Sequence, residues 1–179
     1  AGVLDDVYAY EGELGVIFNS GVPTLALWAP TAQSVRLILF DDSTGGVGIP
    51  VEMSKDASTG VWTVTGDAGW NGKYYVYEVT VFAFWNGELV QNLVTDPYAV
   101  SLSMNSTRSQ IVNLADAHVK PAGWDGLHKP ELDAPEDIVL YEMHVRDFSI
   151  SDNTVSGDNR GKFTAFTEEH SNGMQHLKG

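Results

Sequence analysis

A β-sandwich is the fold class that this sequence predicts for most of its length, on two observations. From Leu14 to Leu114 apolar residues recur at period two in about seven or eight short runs, each closed by Gly, Pro, Asn or Asp. No amphipathic helical period falls among them, and the combination is that of an immunoglobulin-like sandwich. A third observation comes from the carboxyl-terminal quarter of the chain. Ile138-Val139-Leu140-Tyr141 is a continuous apolar run that ends in the polar residues His144, Arg146 and Asp147. It suits the buried strand of a β/α barrel, where functional groups gather at the carboxyl ends of strands. It suits equally a sandwich strand running into a solvated loop.

In chain order, residues 1 to 13 give no clear element. Leu14 to Phe18 reads as a strand turned by Asn19-Ser20-Gly21, and Thr24 to Trp28 as a second, stopped by Pro30. Ser34 to Phe40 is a third, with Val35, Leu37 and Leu39 on one face. A loop from Asp41 to Gly48 leads to a weaker strand, Ile49 to Met53, and Val61 to Thr65 is a clearer one. Lys73 to Trp85 is the longest pattern. Tyr75, Tyr77, Val79 and Val81 are its expected core face, because the other face carries Glu78, whose carboxylate needs a partner if buried. Asn86-Gly87 signals a two-residue hairpin with positive φ at both positions. Glu88 to Val94 returns antiparallel, Asp96-Pro97-Tyr98 stops it, and Gln110 to Leu114 is the last strand.

Pro121, Gly123, Gly126, Pro130 and Pro135 punctuate residues 118–136, which read as a linker. The expected domains are a sandwich over 1–117, this linker, and over 137–179 the first strand, a polar loop and the start of a helix with Ser171 as N-cap.

Composition bounds the partners. The chain has 179 residues, 43% of them hydrophobic, enough for a packed core. A net charge of −14 repels phosphate backbones and anionic membranes, so neither nucleic acid nor a membrane is an expected partner, whereas a neutral ligand is not disfavoured. There is no cysteine, hence no disulfide and no thiolate site. No stretch approaches the roughly 20 apolar residues of a membrane helix, and no signal peptide is visible at the start. Location stays open, with a secreted protein favoured over a cytoplasmic one.

Chemistry-bearing constellations are sparse. Asp5-Asp6, Asp41-Asp42 and Glu168-Glu169 read as solvated surface among 24 acidic residues. His118, His128, His144, His170 and His176 lack metal-ligand spacing, and no loop has EF-hand spacing, so no metal or cofactor is expected. No residue is assigned a catalytic role.

Tyr141-Glu142-Met143-His144-Val145-Arg146-Asp147-Phe148-Ser149 resembles the first barrel strand of pullulanases and limit dextrinases, starch-debranching members of glycoside hydrolase family 13. Arg160-Gly161-Lys162-Phe163, Ala165-Phe166-Thr167-Glu168 and Ser171 through Lys178 are similar in the same order, as are Leu27 through Ala32 and Thr95-Asp96-Pro97-Tyr98. The resemblance implies a family-48 carbohydrate-binding-type module followed by the truncated start of a β/α (TIM) barrel. It implies a parent enzyme hydrolysing α-1,6-glucosidic linkages in pullulan, starch or limit dextrins, and partners that are α-glucans or the missing catalytic domain. The nucleophile and acid of that family follow later strands, so the chain alone is expected to be inactive; some full-length members bind calcium. Such modules stack aromatic faces on sugar rings. Trp28 and Trp62 lie within strands and read as core, which leaves Trp70, Trp85, Lys73 and Asn86 as substrate-binding candidates. Glycogen-binding relatives place a Trp after the comparable hairpin and a Lys on the preceding strand. Glu88-Leu89 and Glu78 stand there instead, which implies weak binding. The alternatives are a stand-alone glucan-binding module and an immunoglobulin-like structural domain.

Overall fold

Alternation decides which side of each strand is buried, and two sheets close on the sides it selects. The computed structural model describes residues 2–179, and the chain divides into two compact units, Ala1–Asp125 and Gly126–Gly179. The first opens with a short helix, α1 (Gly2–Val7), in the stretch that gave no pattern. Among the described residues its strands are β1 (Gly15–Asn19), β2 (Val22–Trp28), β3 (Ser34–Phe40), β4 (Ile49–Glu52), β5 (Ser54–Lys55), β6 (Val61–Thr65), β7 (Tyr74–Ala83), β8 (Glu88–Val94) and β9 (Ser109–Gln110). One sheet has the order β1-β2-β6-β5. The other runs β4-β3-β7-β8, with β9 also paired to β7. Every ladder is antiparallel.

The core lies between the sheets. Leu25, Leu27 and Trp62 from one meet Val35, Leu37, Leu39, Tyr75 and Tyr77 from the other, all buried, with Val79 and Val81 packed at their margin. The predicted core face of β7 is therefore the observed one. On its other face Glu78 sits opposite Arg36, whose Nε donates to its carboxylate at 2.7 Å. This hydrogen-bonded ion pair raises the Arg36 pKa and gives the half-buried carboxylate the partner it needs. Of the two strand tryptophans expected in the core, Trp62 is there and Trp28 is half-buried outside that cluster; Trp62 donates to the Ala29 carbonyl and Trp28 to that of Tyr8, each at 3.0 Å.

A second polar knot is buried. The Asp96 carboxylate accepts from the Tyr75 hydroxyl at 2.6 Å, the Tyr77 hydroxyl at 3.3 Å and the Tyr98 amide at 2.8 Å. The Asp96 amide donates to Ser109, itself fully buried. The Asp-Pro-Tyr stop after β8 is thus tied to the middle of the sandwich. Tyr98 also lies against Gly15, where φ is +86° and an added Cβ would come within 2.9 Å of the tyrosine.

Three expectations fail. Asn86-Gly87 is not a two-residue turn, because Ala83 pairs with Glu88 and leaves a four-residue loop. The Gly87 amide donates to the Ala83 carbonyl at 2.9 Å, and within that loop only Gly87 takes a left-handed φ. Phe84 and Trp85 belong to this loop rather than to β7. The last strand is two residues long, Ser109–Gln110, since β7 offers β9 only Tyr74 and Tyr75 as partners. The strand expected from Ile138 is not formed: residues 138–144 have no ladder, and Val145–Ser149 is a helix, α2. A parallel strand draws its hydrogen bonds from neighbouring strands, and the described residues of this unit supply none.

The second unit is held by loops. Phe148 stacks on Phe166 with centroids 4.8 Å apart, and Val155 and Ala165 are buried in the same unit. Ser171 caps α3 (Asn172–Lys178), as its position predicts, accepting from the Met174 amide. Glu168, expected at the surface, is partly exposed there and hydrogen-bonded. It accepts from the Ser156 amide and hydroxyl and from Asn159, and these bonds hold its carboxyl below the usual range.

Candidate functional site

The outer face of the β4-β3-β7-β8 sheet is where apolar side chains gather outside the core, with Phe82, Leu89 and Leu93 exposed. Ile38 and Phe40 from β3, Val76 and Phe82 from β7, and Leu89 and Leu93 from β8 share it, by strand alternation and register. Arg36 and Glu78 form its charged centre.

The four candidate residues lie at the two ends of β7. Trp70 ends a short 3₁₀ turn, Ala68–Trp70, capped by Asp67, whose carboxylate accepts from the Gly69 amide at 2.7 Å. Its ring lies over Gly66 and against the core, half-buried. The Lys73 amide donates to the Trp70 carbonyl, and its ammonium to Asp41 at 2.6 Å. Trp85 is 84% exposed on the hairpin loop, beside Phe84, which meets Phe82 edge-on at 5.7 Å. The Asn86 side chain accepts from the Glu88 amide at 3.2 Å. Ten strand residues, roughly 33 Å, separate the two groups. The structure brings Trp70 to Lys73 and Trp85 to Asn86, and does not join the pairs.

Between these ends lies a groove of about 660 Å³, whose lining includes Phe40, Thr44, Val76, Leu93, Thr107 and Arg108. Sequence reasoning missed it. The Arg108 guanidinium lies 3.5 Å from the centre of the Phe40 ring and donates to the carbonyls of Asp42 and Gly45, at 2.6 and 2.8 Å. That one side chain fastens the loop after β3 to the loop before β9. Its own loop is shaped by Asn105 and Ser106, both at left-handed φ, and by Ser103, which accepts from the Arg108 amide. The residues that could have signalled it are Phe40, facing outward on a strand with an inward core set, and the Asn-Ser pair, a turn signal. The groove offers apolar flats, hydroxyls and one fixed cation, a lining for a neutral, hydroxyl-rich ligand.

In the second unit His144, Arg146 and Asp147 are exposed, with Arg146 donating to Asp147 at 3.1 Å. Among the described residues no group of three His, Cys, Asp or Glu side chains gathers closely enough to hold a metal ion. No described helix is long and apolar enough to cross a membrane.

A two-sheet module with an open outer face is what residues 13–99 form, and they match the family described as carbohydrate-binding module 48 (isoamylase N-terminal domain). The chain as a whole is similar to pullulanases. It is 41% identical over 179 residues to pullulanase 1, chloroplastic, of Arabidopsis thaliana, matching 99% of this chain and 18% of the relative. It is 40% identical to pullulanase of Klebsiella pneumoniae, over 99% of this chain and 17% of that one. The crystal structure of ligand-free PulA from Klebsiella pneumoniae superposes with a TM-score of 0.91 at 39% identity, over 99% of this chain and 18% of that chain. Pullulanase from Bacillus acidopullulyticus gives 0.79 at 38% identity, over 94% and 20%. The chain therefore spans about a fifth or less of the length of these relatives.

Proposed function

We propose that this chain is the accessory β-sandwich, of immunoglobulin-like type, and the barrel opening of a pullulanase-type glycoside hydrolase that cleaves α-1,6-glucosidic linkages. The observation that supports it most is that similarity to pullulanases runs unbroken through both units. The second unit makes sense on this reading. Val139 and Leu140 are each 90% exposed, an arrangement that suits a strand whose barrel neighbours lie elsewhere in a longer protein. The sandwich is non-catalytic: glycoside hydrolysis needs two carboxyl groups flanking one bond, about 5–5.5 Å apart in retaining enzymes. Its own ligand is a neutral α-glucan, held weakly, with the groove beside Phe40 and Leu93 and the exposed Trp85 as its contact surfaces.

Two measurements test this. The purified chain should release no reducing sugar from pullulan; measurable release overturns the non-catalytic assignment. Calorimetry with maltoheptaose should give weak binding that Leu93→Ala or Trp85→Ala reduces severalfold. Tight binding indifferent to both substitutions removes these surfaces as the site.

A further inference from the structure

The outer strands of the two sheets are β1, β5, β4 and β8. Exposed strand edges offer unpaired N–H and C=O groups to other chains, and proteins blunt them with Pro, Lys, short length or cover. Three of these edges are blunted. β4 is four residues long and contains Pro50. β5 is two residues long, and its Lys55 ammonium donates to the Pro30 carbonyl at 2.8 Å. β1 is flanked by residues 112–115 across a groove of about 520 Å³. β8 has none of these devices. It runs seven residues, Glu88-Leu89-Val90-Gln91-Asn92-Leu93-Val94, in unbroken one-to-one register with β7, and all but Val90 are exposed.

Its sequence complements itself. Laid antiparallel on a second copy, with a two-fold axis through Gln91, it sets Leu89 against the partner's Leu93, Val90 against the partner's Asn92 and Glu88 against the partner's Val94. Leu89 and Leu93, now 61% and 66% exposed, would then cover each other on the outer face, beside Phe82. Charge suits this edge to self-association. Copies with a net charge of −14 repel one another. β8 holds a single carboxylate, and this register sets it against a valine rather than against its own copy.

Area points the same way. A strand of this length spans roughly 24 Å, too little alone for the roughly 800 Å² per partner of a standard interface. Phe84 and Trp85, 90% and 84% exposed, stand at the hairpin end of β8, next to the partner's Val94 end. Aromatic side chains bury roughly 150–250 Å² each, so the two add roughly 300–500 Å² per partner towards the roughly 600 Å² at the low end of standard interfaces.

We propose that the chain forms a two-fold dimer through antiparallel β8–β8 pairing, joining two sheets into one continuous sheet. This goes beyond the glucan reading and competes with it, since the pairing covers Leu93 and Trp85, the glucan contacts proposed above. An interface at this end of the size range belongs with weak, transient associations.

Sedimentation equilibrium of the chain from about 1 to 500 µM tests it. The mass should rise from 19.5 kDa to twice that value. Gln91→Glu places two carboxylates face to face at the axis, where directly opposed like charges destabilise strand pairing, and should weaken the dimer at least tenfold. Gln91→Lys should do the same. An equimolar mixture of the two variants should restore it, as only a register with residue 91 opposite itself predicts. Position 91 is exposed, and unchanged circular dichroism confirms that each variant folds. The exposed run 138–141 is the competing surface, and Leu140→Asp removes it. A chain monomeric throughout the range, a dimer indifferent to both Gln91 variants, or one abolished by Leu140→Asp alone overturns the proposal.

Discussion

The Tyr75 hydroxyl donates to the Asp96 carboxylate at 2.6 Å, across 21 residues of sequence and inside the sandwich. Hydrogen bonds to charged groups contribute about 1.5–3 kcal/mol net. Tyr75→Phe should therefore lower the unfolding free energy by about that amount, read from the urea midpoint at constant m-value. An unchanged midpoint would mean that Tyr77 and the Tyr98 amide satisfy Asp96 alone.

The same cluster sets alkaline behaviour. Burial first, then the neighbouring tyrosine and the Asp96 charge, raise the Tyr75 pKa; burial and Asp96 raise that of Tyr77. A group whose folded pKa lies above its unfolded value of 10.0 contributes stability that is full below that pH and lost as pH rises beyond it. The urea midpoint should hold up to about pH 10 and then fall, less steeply in Tyr75→Phe. A midpoint flat through pH 11 contradicts this.

Acid acts on the second unit. Hydrogen bonds from Thr154 hold Asp152 below its usual 3.8, and those from Ser156 and Asn159 hold Glu168 below 4.5. Groups with depressed folded pKa values stabilise above the unfolded value and lose that contribution as pH falls through the folded one. Protection of the Val155 and Ala165 amides should decline below about pH 4.5 in the wild type. In Glu168→Gln it should be low already at neutral pH and vary less with acid.

Hydrogen exchange should divide the chain by ladder membership. Residues 138–144 have no strand partner and should exchange within seconds, whereas the amides of 75–82 should persist for hours. Equal protection of the two segments would show that the 138–144 run has found a partner strand.

Gly173 faces Phe148, and an added Cβ would meet that ring at 2.7 Å. Gly173→Ala should push Phe148 off Phe166 and cost about 1–3 kcal/mol, the range for overpacking. Proteolysis should then speed up within 145–178 while the sandwich peptides stay intact. Uniform resistance would show that the ring shifts freely.

Legibility in the sequence differed from part to part for physical reasons. β3 and β6 were bounded by sequence to the residue, because alternation against a core is a local signal that burial enforces, and β8 because Asn86-Gly87 and Asp96-Pro97 close it at either end. Tyr75 and Tyr77 were placed inside by the carboxylate on the opposite face. The hairpin tip was not readable, since Asn86-Gly87 suits a shorter turn and only the pairing of Ala83 with Glu88 selects the longer one. The groove was invisible because Arg108 reaches Phe40 and Asp42 from a loop 66 residues away. The hydrogen bonds of Glu168 were not readable because the Ser156 and Asn159 side chains that claim it obey no period. Trp70 and Trp85 were equal candidates in sequence; only the length of β7 separates them.

All strand pairings of the sandwich close between Gly15 and Gln110. A chain leaving the ribosome at about 5–20 residues per second has every partner strand in hand before residue 138 is made. The intervening 27 or so residues give a head start of roughly 1–5 s at that rate. The apolar run at 138–141 therefore emerges beside a finished module instead of among unpaired strands with which it could mispair. The order of synthesis thus keeps the stickiest segment of the chain away from the edges most able to capture it.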